Sequence, residues 1–144
     1  MRQKAIIILL MVLIVNGMVS AQDLKDHRWE NRILLVYTEN INSDLYSEQL
    51  NEFRVDKEGW DDRRMVLYSI TSKSFSKGWE NDKWVPVNDK KERFFSGEKD
   101  FEVVLLGLDG NEKLRQDKLL TRKKLYRTID AMPMRQSELR NRGQ

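Results

Sequence analysis

Two hydrophobic rhythms alternate along this chain. Within Arg32–Thr38 the run Ile33-Leu34-Leu35-Val36 is continuously apolar, which predicts a strand covered on both faces. Thr38-Glu39-Asn40 breaks it. Leu45 or Tyr46, Leu50 and Phe53 then recur at helical spacing behind a cap at Asn42 or Ser43, with Asp44 in the first turn and Gly59 as a stop. Arg64–Thr71 is a second buried strand, and a crossover this long predicts a parallel, right-handed unit. Residues 72–87 show no clear period. Asn88 or Asp89 is placed to cap a short helix through Phe95, ended by Gly97. Phe101–Leu108 and Glu112–Gln116 flank Asp109-Gly110, a two-residue hairpin signal. Thr121 caps a last helix with Leu125, Ile129 and Met132 on one face; Pro133 ends it.

The N-terminus changes the picture by setting a compartment. Arg2 and Lys4 precede the apolar run Ala5–Val15, Asn16-Gly17 interrupts it, and Val19-Ser20-Ala21 stands before Gln22. That order fits a cleaved secretory signal over residues 1–21. As a membrane anchor the run is too short, since eleven helical residues span only about 16 Å of a ~30 Å hydrocarbon core. The expectation is therefore an exported protein, periplasmic or secreted, touching the membrane only transiently through its signal. One domain, 22–135, is followed by a polar tail, 136–144.

Composition removes one class of chemistry. The chain has no cysteine, which excludes thiol redox work, a lipoprotein anchor and thiolate zinc sites. Charge is balanced overall but polarised: residues 22–112 carry net −6 and residues 113–144 net +7. Such asymmetry suits either an anionic partner at the C-terminal end or complementarity between the halves.

The order β-α-β-α-β-β-α, a parallel unit followed by a hairpin and a closing helix, is the layout of a thioredoxin-like α/β core with a mixed four-stranded sheet. Three blocks strengthen this reading: Trp29-Glu30-Asn31-Arg32 leading into Ile33–Val36, Phe101 through Asp109-Gly110, and Ile129-Asp130-Ala131-Met132-Pro133-Met134-Arg135. They resemble the hallmarks of the domain of unknown function 4174 family, over roughly residues 24–140. The resemblance implies a fold similar to thioredoxin and peroxiredoxin, and kinship with domains in extracellular-matrix and sushi-repeat proteins. It implies no reaction, so no catalytic residue is carried over. The chain departs from the family pattern in its tryptophan-bearing stretch 73–87 and in basic Arg122, Lys123 and Lys124.

Five places are candidates for chemistry or binding. A thioredoxin-like enzyme needs a thiol after the first core strand, and Thr38-Glu39-Asn40-Ile41-Asn42-Ser43 offers hydroxyls, amides and one carboxylate there but no thiol. The single histidine, His27, precedes the strand, so a hydroxyl–His pair needs a fold that brings them together. A pocket there holding His27 or converging carboxylates favours a non-thiol enzyme; a filled surface favours binding or scaffolding. Carboxylates around Gly59-Trp60 (Asp56, Glu58, Asp61, Asp62) and in Glu80-Asn81-Asp82 lack calcium-loop spacing and read as solvated turns, so no metal or cofactor is expected. Trp79 and Trp84 either present aromatic faces to a partner or anchor their loop over the sheet; tryptophan's usual burial favours the anchor. Arg122, Lys123 and Lys124 stand where a helix dipole prefers acids, an arrangement that suits a phosphate, sulfate or polyanion. Trp29, Arg32, Asp109, Gly110, Asp130, Met132, Pro133 and Arg135 read as fold determinants, Asp130 pairing with Arg135 or the sheet end. The partner expected is an envelope protein, a glycan or a polyanion, not nucleic acid, since no stacking aromatics accompany the basic run.

Overall fold

β1 (Arg32–Thr38) is buried at all of its positions, as its unbroken apolar run requires. The computed structural model describes residues 22–87, 95 and 98–143. The expected signal segment, and the expected helix behind Asn88 or Asp89 apart from Phe95, lie outside the described residues.

β1 pairs in parallel with β2 (Met65–Ile70), Leu34 facing Leu67, and antiparallel with β5 (Phe101–Leu106), Leu34 facing Leu105. β6 (Glu112–Gln116) closes that side through the hairpin, and β3 (Ser74–Lys77) and β4 (Val85–Pro86) extend the other, giving the order β4-β3-β2-β1-β5-β6. Among the described residues the sheet thus has six strands rather than four. The two extra strands are short, with Phe75 the one buried apolar residue of β3, and Pro86 is tolerated because β4 is an edge. Neither carries a long apolar run for periodicity to find.

Helices α1 (Gln22–Asp26), α2 (Asp44–Arg54), α3 (Lys57–Asp62), α4 (Arg122–Asp130) and α5 (Pro133–Arg142) complete the described chain. Ser43 caps α2 by accepting from Tyr46 N, and Thr121 caps α4 by accepting from Lys124 N, both as expected. Gly59 does not stop a helix. α2 ends at Arg54, and α3 restarts behind Asp56, whose carboxylate accepts from Gly59 N at 2.9 Å. Pro133 opens α5 instead of ending α4, because proline's missing N–H costs nothing at the first helical position. The stretch expected as a polar tail, 136–144, is therefore helical up to Arg142, and Arg135, just before it in the same helix, is buried. The hairpin connection runs from Gly107 to Asn111, longer than two residues. Gly107 N donates to Asn111 O, and Gly110 takes φ +77, a left-handed position where a side chain is strained.

Alternation along β1 divides the core. Leu34 and Val36 pack with Tyr46, Leu50 and Phe53 of α2, Trp60 of α3, and Leu125 and Ile129 of α4. Ile33, Leu35 and Tyr37 face the other side with Tyr68, Phe75, Phe95 and Val104, where Leu24 of α1 packs. Each fully buried aliphatic or aromatic side chain contributes roughly 1.5–3 kcal/mol before conformational entropy is counted. Among the described residues no helix is long and apolar enough to cross a membrane.

Candidate functional site

In an open α/β sheet, ligands and nucleophiles gather where strands end and helices begin. Here that place follows β1, and its polar atoms are already engaged. Thr38, 1% exposed, turns its hydroxyl onto Asn40, donating to the carbonyl at 2.9 Å and accepting from the amide at 3.2 Å. Asn40 Oδ1 accepts from Asn42 N at 2.9 Å, and Ser43 is spent on its cap. Glu39 accepts from the Tyr37 hydroxyl. His27 does not approach. Its ring nitrogens bond Asn31 at 3.0 Å and the Tyr68 hydroxyl at 2.9 Å, and Tyr68 belongs to the opposite core layer.

The tryptophan-bearing stretch runs back along β2, with Tyr68 facing Lys77 and Gly78 N donating to Leu67 O at 2.9 Å. Trp79 packs on the α2–α3 core layer with its ring 4.7 Å from Trp60, edge-on, and its carbonyl accepts from Arg54 at 2.8 Å. Trp84 is half-buried and donates its indole N–H to Asn81 O at 2.9 Å. Between them Asn81 takes φ +50 and donates Nδ2–H to the Tyr46 hydroxyl at 3.0 Å, which in turn donates to Ser69 Oγ at 2.7 Å. Burial pushes the Tyr46 hydroxyl above its ordinary range. The geometry of Trp79 is that of an anchor. Trp29 is the reverse: 60% exposed at φ +69, held by its N–H to Leu108 O at 2.7 Å.

The three hallmark blocks meet at the other end of β1, about 20 Å away at a strand's rise per residue. Arg32, wholly buried, donates to Arg63 O at 3.0 Å and to both carboxylate oxygens of Glu138, at 3.1 and 3.4 Å. Arg135, also buried, donates to Glu138 and Asp130 at 3.3 Å each, to Asp62 O at 2.9 Å and to the Asp62 carboxylate. Arg63 clamps Asp130 with two bonds, at 3.1 and 2.7 Å, while its guanidinium lies 3.9 Å from the centre of the Tyr126 ring. Arg64 also donates to Glu138, and Arg142 to Asp62. Five arginines and three carboxylates thus lock α5 and α4 onto the starts of β1 and β2. For Glu138, burial alone would raise the carboxyl, but hydrogen bonds from Arg32 and Arg64 outweigh it and hold the group below the ordinary glutamate range. Arg142 and Arg135 hold Asp62 down in the same way. Asp109-Gly110 joins this end: Arg28 donates to Asp109 O at 3.1 Å, and hydrogen bonds from Lys113 and Asn111 overcome burial to bring Asp109 down to about 2. Met132 is the N-cap residue of α5 and packs on the core.

The basic start of α4 proves partly occupied. Arg122 N donates to Glu52 Oε1 at 2.8 Å, so a carboxylate of α2 already sits at this helix N-terminus. Lys124 Nζ donates to Gln116 Oε1 at 2.5 Å, and Lys123 is exposed. The acids around Trp60 do separate work: Asp56 caps α3, Asp61 pairs with Lys57 at 2.8 Å, and Asp62 joins the arginine lock. Among the described residues, no group of three or more His, Asp or Glu side chains could hold a metal ion.

The comparisons agree with this geometry. The family described as a domain of unknown function, DUF4174, matches residues 23–138. The chain belongs to that family. No curated protein matches it. Among solved structures, the DUF4174 domain is similar to the reduced 2-Cys peroxiredoxin of Plasmodium vivax, with a TM-score of 0.55 and 14% identity over 79% of this chain and 84% of that one. The likeness shows a thioredoxin-like fold, and the DUF4174 chain itself contains no cysteine.

Sequence reasoning missed Glu138, Asp62 and Arg63 in the lock, and Glu52 beside α4. Glu138 was findable: Pro133 read as the first residue of a helix puts Arg135 and Glu138 at i and i+3 on one face. Glu52 carried no local signal, since it lies 70 residues from Arg122.

Proposed function

We propose that this DUF4174 domain is an exported, non-catalytic module that works by surface contact, binding or scaffolding at the cell envelope. One observation carries the reading: the loop after β1 spends its hydroxyls and amides on its own turn and helix cap, while His27 is committed to Asn31 and Tyr68. A nucleophile needs a base within hydrogen-bond reach, and Thr38 and Ser43 have none. Without cysteine, the thiol route of a thioredoxin-like scaffold is closed as well. The hallmark residues support the reading from the other end, because Arg32, Asp130 and Arg135 are consumed by internal ion pairs. The order of basic, apolar and small residues in 1–21 supports export.

Two experiments test it. Purified protein incubated with peroxide or a disulfide substrate, and with ester and phosphoester reporters, is expected to show no turnover above the protein-free rate. Turnover lost in His27→Ala would replace this reading with a non-thiol enzyme on the same scaffold. N-terminal sequencing of exported material is expected to begin near Gln22, and an intact Met1 there would overturn cleavage.

A further inference from the structure

The cationic side of α4 breaks local rules more than once. Leu125 and Ile129 turn inward, so helical spacing points Lys123, Lys124 and Arg127 outward together with Ala131 just beyond. Lys123 and Arg127 are like charges at i and i+4, which repel. The first turn holds no acid. Lys118, exposed just upstream, adds a fourth cation, and no acid intervenes between Asp117 and Asp130. Lys118, Lys123 and Arg127 make no ion pair with any described residue, and Lys124 reaches only the neutral Gln116. Glu52 answers the helix start through Arg122 N, but among the described residues Lys118, Lys123 and Arg127 gain no acidic partner from the fold, and such a conflict with local preference marks a surface kept for something else.

Resting on the contact-module reading, the geometry points to this face as a docking surface for the anionic headgroups of a lipid bilayer. Charge complementarity argues for it, and two observations bear on the choice of occupant. A small anion at the helix N-terminus is disfavoured because Glu52 already fills that seat. A broad surface suits the arrangement, because the cations fan over one side of the helix with no aromatic among them, and Met134, 43% exposed, follows at the start of α5. Such docking is electrostatic and reversible. Each cation near an anionic membrane multiplies partition roughly fivefold, so four together favour anionic over neutral lipid by several-hundred-fold, an effect confined to about a Debye length.

The test is sedimentation with vesicles of phosphatidylcholine containing about a third phosphatidylglycerol, at 0.05 M salt. The chain from Gln22, as expected after export, is compared with the same chain carrying Lys123→Glu and Arg127→Glu, so the apolar N-terminal run does not contribute. The expected result is co-sedimentation of the wild type, weakened at least about 30-fold in the variant, and lost for both in 0.5 M salt or on neutral vesicles. Lys123→Glu alone is expected to raise the melting temperature by roughly 1–3 °C, since an acid there suits the dipole. A variant that is folded and binds vesicles as the wild type does would overturn the proposal. So would wild-type binding to neutral vesicles equal to anionic ones, or salt-dependent self-association in place of vesicle binding. Any of these leaves the contact-module reading standing, because that reading falls with turnover.

Discussion

Replacing Glu138 by glutamine keeps its size and removes the charge on which three guanidiniums converge. The Arg32 and Arg135 side chains are 1% and 2% exposed and that of Glu138 is 15% exposed, so the loss is felt in a largely water-free setting. Removing one member of a buried ion pair typically costs 3–5 kcal/mol, because the partner charge is left uncompensated. Here Arg135 keeps Asp62 and Asp130, and Arg64 reaches water, which points to the lower end, about 3 kcal/mol. The burden falls on Arg32, which keeps its bond to Arg63 O but faces at most one neutral amide oxygen in place of a carboxylate, its Nε already without a partner. For a domain of about 120 residues the unfolding entropy is roughly 0.25 kcal/mol/K, so the melting temperature should fall by about 12 °C. Urea titration followed by circular dichroism gives the free energy, and calorimetry the midpoint. Glu58→Gln, an exposed acid outside the lock, is the control, expected within about 0.5 kcal/mol of wild type. A loss below about 1 kcal/mol for Glu138→Gln would refute the reasoning, since an ordinary surface pair costs no more.

Gln49 is buried and exchanges two hydrogen bonds with the Leu120 backbone, at 2.9 and 2.7 Å, so Gln49→Leu should cost about 2–4 kcal/mol in urea titration by leaving both backbone groups unpaired. Trp79→Ala should cost about 2 kcal/mol in the same assay and Trp84→Ala about 1, because Trp79 packs on Trp60 and the core while Trp84 holds only its own turn. The folded-state values of Glu138 and Asp62 lie below their unfolded ones, so the lock stabilises fully above about pH 5 and its contribution fades as pH falls through the folded values. The stability gap between wild type and Glu138→Gln should therefore shrink in urea titrations repeated towards pH 3.

Much of the sheet was readable because β1, β2 and β5 are long and apolar, and Ser43 and Thr121 are caps with one natural role. β3 and β4 escaped because strands of four and two residues are too short to show a pattern of their own and are specified by their neighbours, as Ser76 is by Ser69. Pro133 was ambiguous in principle, since proline both interrupts a helix and starts one; only the partners of Arg135 decide between the two. Asp130 and Arg135, five residues apart, were a pair visible in the chain, whereas Arg32 and Glu138 are 106 residues apart and meet only once the fold exists. The same distance effect hid Glu52 and made the start of α4 look like an empty anion seat.

Arg32, Asp130, Arg135 and Glu138 form an internal lock between the ends of the chain. Carbon-detected NMR of the Glu138 carboxyl, titrated in the folded protein, tests this most directly. The lock predicts a midpoint well below the ordinary glutamate value of about 4.3, shifting upward when Arg32 is replaced by methionine. A midpoint at or above about 4.3 in the wild type would mean that the guanidiniums do not enclose that carboxylate, and the account would fail.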